Sequence, residues 1–148
     1  MKKSWKMLFA VGLAVLAAWM IWPRNLGEAF DAEESVAVSA IIYGVTDGRI
    51  DNKTEEYRLT ADSEKGERMS ELLSQHTYHL TLGSLVGKDV IEGATITIHL
   101  NNGEGVFLTL TGNTTELFLN HRVYRLDYWG SKRGTNLCEE VLEILRET

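Results

Sequence analysis

The sequence predicts an α+β domain: an antiparallel sheet of about five to six strands with two helices on one face, preceded by an N-terminal transmembrane helix. Three observations predict this fold. Several short segments alternate apolar and polar side chains, which is typical of strands with one buried face. Two other segments change to a helical period. The resulting order, β-β-α-β-β-β-β-α, lacks the regular β-α alternation that a parallel sheet needs.

The N-terminal segment is an unbroken apolar run from Met7 to Trp22 that follows Lys2, Lys3 and Lys6. As a helix this run is about 24 Å long, slightly short of a hydrocarbon core of about 30 Å. We expect residues 1–24 to be a retained signal anchor. Because the lysines precede the run, the N-terminus is predicted to be cytoplasmic. The rest of this single-pass chain would then lie outside the cell membrane.

Two other fates of this segment compete with retention. Residues 15–17, Val-Leu-Ala, are the best cleavage site for a signal peptidase, but cleavage there would leave the apolar stretch AWMIW as the new N-terminus. Cleaved secretion therefore stays the alternative. Residues 16–18 resemble the start of a bacterial lipobox, but the next residue is Trp19 and not the cysteine that would accept a lipid. Lipidation at this site is excluded.

The first half of the remaining chain is predicted to contain a tether, two strands and a helix. Residues 25–34 mix glycine with acidic residues and show no periodicity, which predicts a tether leading to a domain at 35–148. SVAVSAIIYGV and EEYRLT are predicted strands on either side of an Asp-Gly turn. In ADSEKGERMSELLSQ the apolar residues take helical spacing, and Asp62 or Ser63 can cap the helix.

The second half is predicted to be a series of strands followed by a helix. TYHLTLG, ATITIHL and VFLTLT alternate with period two, NNGEG is a hairpin turn, and Asn120-His121 can form a tight link from TELFL to RVYRLDYW. TNLCEEVLEILRET carries an apolar helical stripe. The alternation predicts a polar sheet face, composed of Thr77, His79, Thr81, Thr95, Thr97, His99, Thr109 and Thr111.

Composition excludes some classes of function. From Asn25 onward the chain has 11 basic and 21 acidic residues, a net charge of 11 − 21 = −10, which argues against binding to nucleic acid. The single cysteine, Cys138, precludes an intramolecular disulfide and fits a buried thiol. Neither phosphate-binding glycine loops nor the familiar nucleophile motifs occur, so we expect no cofactor.

One stretch stands out as a candidate binding site. In YWGSKRG, the aromatic residues Tyr128 and Trp129 lie beside the cations Lys132 and Arg133 between glycines. Aromatic faces next to cations hold glycans, peptides or anionic headgroups. The alternative is that the two aromatic side chains pack on the last helix while the cations are simply solvated.

Two histidines are the candidate metal ligands. His79 and His99 would be neighbours if their strands pair, and two converging imidazoles suit zinc or copper. No other ligand is fixed by the sequence, so the alternative is that they are separate histidines on the polar sheet face.

These observations favour a binding module over an enzyme. In architecture and composition the chain is similar to the small anchored or lipoprotein-like α+β domains that Gram-positive bacteria export, although no motif transfers a role. We therefore expect a membrane-anchored, extracytoplasmic binding or interaction module of a bacterial envelope. Its partner would be an envelope protein, a peptide or a cell-wall glycan. The alternatives are a metal-assisted envelope enzyme and a secreted inhibitor or immunity-type protein.

Overall fold

The structure is a computed structural model that describes residues 2–31, 34–46, 49–81, 84, 96–112, 114–127 and 133–147. In chain order its elements are α1 (Lys2–Ile21), β1 (Arg24–Asn25), α2 (Leu26–Ala29), β2 (Ser35–Thr46), β3 (Arg49–Thr60), α3 (Glu64–Ser74), β4 (Thr77–His79), β5 (Ile96–Asn101), β6 (Phe107–Thr111), β7 (Glu116–Leu119), β8 (Arg122–Leu126) and α4 (Arg133–Arg146).

The eight strands form one antiparallel sheet in the order β1-β4-β8-β7-β6-β5-β2-β3. The predicted α+β class is confirmed, but the expected five to six strands are too few. One extra strand is β1, whose two residues are too short to show any alternation. The predicted link at Asn120-His121 is confirmed as a two-residue hairpin turn between β7 and β8. Both residues have positive φ, 48° and 64°, as the type I′ hairpin turn requires.

The register of the strands places apolar side chains opposite one another in the core. Val38, Leu100, Leu108 and Leu119 lie opposite one another across β2, β5, β6 and β7, and all four are buried. This is the row of apolar side chains that the period of two predicts for a half-buried sheet. Both long helices of the domain complete the same core, through Met69, Leu72 and Leu73 of α3 and Leu137, Val141, Leu142 and Leu145 of α4.

A side-chain cap and a close contact fix the start of α3. Ser63 is the N-cap, and its Oγ accepts a hydrogen bond from the N–H of Gly66 at 3.1 Å, as predicted. Gly66 costs helix stability in isolation, but a Cβ at this position would lie 2.1 Å from the backbone oxygen of Thr60. The glycine is therefore needed for α3 to pack on the end of β3.

Ion pairs fasten the end of α4 to the sheet. The Arg146 guanidinium donates two hydrogen bonds of 3.0 Å to the Glu55 carboxylate on β3, which also binds Lys53 and the Tyr57 hydroxyl. These contacts, that of Arg146 above all, hold the pKa of Glu55 at about 2. At the adjoining end of the chain, Glu147 pairs with Arg68 of α3.

Part of the segment expected to be a tether is built into the domain. Residues 24–25 form β1, which pairs with β4, and α2 follows immediately. Asn25 caps α2 by accepting from the N–H of Glu28, while its side-chain amide donates to Ser74. Leu26 is completely buried and Phe30 is 4% exposed. Two apolar residues in an acidic stretch gave no periodic signal, which is why sequence patterning did not reveal this docking.

Apart from Met20 in its last turn, which packs partly against the core, the N-terminal helix leaves its large apolar side chains exposed. Every large hydrophobic side chain that the structure reports as exposed between residues 5 and 22 is more than half exposed. In the part of the chain that the structure describes, no helix has both the length and the apolarity required to cross a membrane.

Candidate functional site

A buried pair of ionisable side chains lies where β4 and β8 meet the end of α3. Nδ1 of His76 is 2.9 Å from Oδ2 of Asp127, and the two residues are 1% and 7% exposed. Only the C-cap residue Gln75 separates His76 from α3, and the N–H of His76 donates to the carbonyl of Leu73 at 3.1 Å. The end of α3 thus positions the His76 imidazole beside the Asp127 carboxylate.

Asp127 is held in an unusual backbone conformation. Its φ is 55°, in the left-handed region that an aspartate tolerates better than most residues. Its other carboxylate oxygen accepts from the N–H of Thr77 at 3.1 Å, and its own N–H donates to the Thr77 carbonyl. Strained positions fixed by several contacts cluster at functional sites. Asp127, which several contacts hold in a left-handed conformation, is therefore a candidate functional residue.

The pair also ties the N-terminal segment to the site. The carbonyl of His76 accepts a hydrogen bond of 2.9 Å from the N–H of Leu26. Chemically, a carboxylate on one imidazole nitrogen selects the tautomer and orients the ring. The second ring nitrogen is then in a defined direction. No local sequence pattern links residues 51 positions apart, so sequence analysis missed this pair.

The binding residues predicted from sequence adjoin this pair along the chain. Tyr128, Trp129 and Lys132 lie outside the described residues. Arg133 is the first residue of α4, and its side chain also lies outside the described part. The stretch begins directly after Asp127, a residue that contacts with His76 and Thr77 hold in place.

The sheet does not bring the two candidate metal ligands together. β8, β7 and β6 lie between the strands of His79 and His99. Four interstrand steps at about 4.8 Å separate the strands by about 19 Å, too far for two imidazoles to share one ion. The physical reason is the strand pairing, because β4 lies between β1 and β8 whereas β5 lies between β6 and β2. Among the described residues, no group of three or more histidine, cysteine, aspartate or glutamate side chains is arranged to hold a metal ion.

Each of these histidines has its own local environment. His79 is 7% exposed, and burial, with a smaller effect of the Arg125 charge, lowers its pKa. Desolvation lowers the pKa of His99, whose Nδ1 lies 2.9 Å from the Thr109 hydroxyl. His99 and Thr109 are direct cross-strand partners on the face away from the core. At these two residues the predicted polar sheet face is present.

A groove of about 440 Å³ lies along α3. The buried side chains of Phe30, Val36 and Met69 contribute apolar surface, and the exposed carboxylates of Glu67 and Glu71 lie on the helix side. The groove is open to solvent and offers an apolar surface with acidic borders. Its other polar side chains are the hydroxyls of Ser70 and Ser74.

The single thiol is not a candidate nucleophile. Cys138 is 2% exposed in the core, and burial raises its pKa to about 12. A thiol with so high a pKa is almost entirely protonated at neutral pH and does not react readily. The predicted burial of Cys138 is confirmed.

Comparison with known proteins found no matching protein-family model, no matching curated protein and no matching solved structure.

Proposed function

We propose that the chain is a membrane-anchored binding module of a bacterial envelope, in which α1 is the anchor and the α+β domain binds an envelope protein, peptide or glycan outside the membrane. The observation that carries the proposal is the exposure of α1. Eleven large apolar or aromatic side chains between residues 5 and 22 are more than half exposed. They are Trp5, Met7, Leu8, Phe9, Val11, Leu13, Val15, Leu16, Trp19, Ile21 and Trp22.

These side chains cover the whole circumference of the helix. At about 100° per residue, positions such as 7, 8, 9, 11 and 13 point in all directions, so no single face can be packed against a domain. A helix apolar on every side needs an apolar surrounding. By contrast, Tyr43 and Phe107 are the only other large hydrophobic side chains exposed among the described residues. The domain therefore closes its own core, and α1 requires an environment that the domain does not provide.

The ends of α1 suit a bilayer. Lys2, Lys3 and Lys6 precede the apolar run, and Trp19 and Trp22 lie at its other end, where aromatic residues favour the headgroup layer. The apolar run is about 24 Å long, which is shorter than the hydrocarbon core. Lysines whose long side chains reach the interface, together with slight thinning of the lipid, make up the difference. The charge asymmetry favours a cytoplasmic N-terminus and a domain outside the cell membrane.

The binding surface that we propose is the stretch containing Tyr128, Trp129, Lys132 and Arg133. Its support is its position directly after Asp127, which is fixed by buried contacts, and its local positive charge in a domain of net charge −10. Binding residues are often displayed on a loop that a rigid scaffold positions. A photo-crosslinking residue in place of Trp129 should capture one predominant envelope partner in cells, and the same residue at exposed Asn52 should not.

Flotation with liposomes tests the anchor. The full chain should float with vesicles of neutral lipid. A variant with Leu13→Lys and Leu16→Lys should stay at the bottom of the gradient, because each lysine at the helix centre costs about 2.5–3.5 kcal/mol on the insertion scale. Flotation of both chains, or of neither, would contradict the proposal. Exposed Ser70 and Gln75 of the domain, each changed to lysine, provide a control of equal charge.

A further inference from the structure

The junction between α1 and the domain contains little free chain. Only Trp22 and Pro23 separate α1 from β1. A tether of ten extended residues would span about 33 Å and let the domain move freely above a bilayer. In the structure, β1 and α2 occupy the first part of that segment instead.

Contacts on both sides of this junction join the helix to the sheet. The carbonyl of Met20, in the last turn of α1, accepts a hydrogen bond of 3.1 Å from the N–H of Leu80 just past β4. The guanidinium of Arg24 lies 5.0 Å from the centre of the Trp19 ring, a distance typical of a cation–π contact. Met20 itself is partly buried against the core.

The residues that follow are fixed in the domain interior. Arg24 and Asn25 pair with Tyr78 and Thr77 of β4. The next residue, Leu26, is completely buried and donates its N–H to His76. Withdrawing this segment would expose a buried leucine and break the pairing of β1 with β4 at the edge of the sheet.

We propose that α1 and the α+β domain form one rigid body, so that the β1–β4 edge of the sheet is held at the bilayer surface. This inference rests on the proposed membrane anchor. From Ile21 to Leu26 the chain advances by at most about 17 Å, and Leu26 contacts His76 directly. The His76–Asp127 pair is therefore held within roughly 20 Å of the end of α1.

Distance measurements by electron spin resonance test the rigid body. Spin labels are placed at Val15→Cys on α1 and Gln75→Cys at the end of α3, in the full chain carrying Cys138→Ala and reconstituted in lipid nanodiscs. Both labelled positions are exposed. The matched control carries a linker of six residues, all glycine or serine, between Pro23 and Arg24. The root-mean-square distance between the ends of such a linker is about 13 Å. A second pair, Gln75→Cys with Asn52→Cys, lies within the domain and verifies that the control is folded.

The expected result is a narrow distance distribution between positions 15 and 75, clearly narrower than that of the control, while the pair within the domain is unchanged by the insertion. A distribution as broad as that of the control, in nanodiscs that contain the chain, would overturn the rigid body and leave the anchor standing. A chain that does not enter the nanodiscs at all would overturn the anchor and this inference with it.

Discussion

Replacement of Leu26 by alanine distinguishes an integrated N-terminal segment from a tether. Leu26, the first residue of α2, is completely buried in the core. Removal of three buried carbons costs about 2.4 kcal/mol at about 0.8 kcal/mol each, and the cavity left behind brings the usual range for Leu→Ala to about 2–5 kcal/mol. We expect a loss of about 3 kcal/mol, which is more than a hundredfold in the folding equilibrium.

The assay is urea unfolding of the full chain in a mild detergent, followed by circular dichroism. Leu13→Ala in α1 is the matched control, since it removes the same atoms from a side chain that is 51% exposed. It should change the free energy of unfolding by no more than about 0.5 kcal/mol. Hydrogen exchange at the amides of Leu26 and Leu80 shows whether the segment leaves the domain locally before global unfolding. A loss for Leu26→Ala as small as that of the control would refute the docking described above.

Substitutions at four further positions test the other contacts. Asp127→Ala should cost about 1–3 kcal/mol in urea unfolding, because it leaves the buried His76 imidazole and the Thr77 N–H without this partner. Asp127→Asn should cost clearly less, and equal losses would contradict this reasoning. Glu55 has a folded pKa of about 2, below its ordinary 4.5, so its contribution to stability is complete above about pH 4.5 and is lost as the pH falls toward 2. Glu55→Gln should reduce this acid dependence of the unfolding midpoint. Arg146→Gln, which removes the partner of Glu55, should reduce it as well. An unchanged pH profile in both variants would exclude the Glu55–Arg146 pair as the source of the acid dependence. Gly66→Ala should destabilise by about 1–3 kcal/mol or more, because its Cβ would collide with the Thr60 carbonyl, and a neutral effect in thermal unfolding would contradict that contact.

Local patterns were sufficient for most strands and for the long helices of the domain. The alternation around Ile98 and Leu100 predicts β5, and it works because burial on one face of a sheet imposes a period of two. The Asn120-His121 turn follows from side chains that tolerate positive φ. Ser63 was identified as a possible cap from its place before an apolar helical stripe.

The remaining features depend on contacts between distant parts of the chain. β1 consists of two residues, and its existence depends on β4, more than 50 positions away. The His76–Asp127 pair likewise joins two segments whose local sequences carry no shared signal. The separation of His79 from His99 is set by strand order, which alternation does not encode. Patterns thus predicted the elements, and long-range pairing determined the site.

The most direct measurement of the central claim is the intact mass of the chain recovered from alkaline-washed membranes of the native cell, compared with that in the soluble fraction. The account predicts a membrane species that retains residues 1–22 and whose domain is degraded by protease added outside the cytoplasm. A soluble chain that begins near Ala18 would contradict it, because the segment that carries the proposal would then be removed.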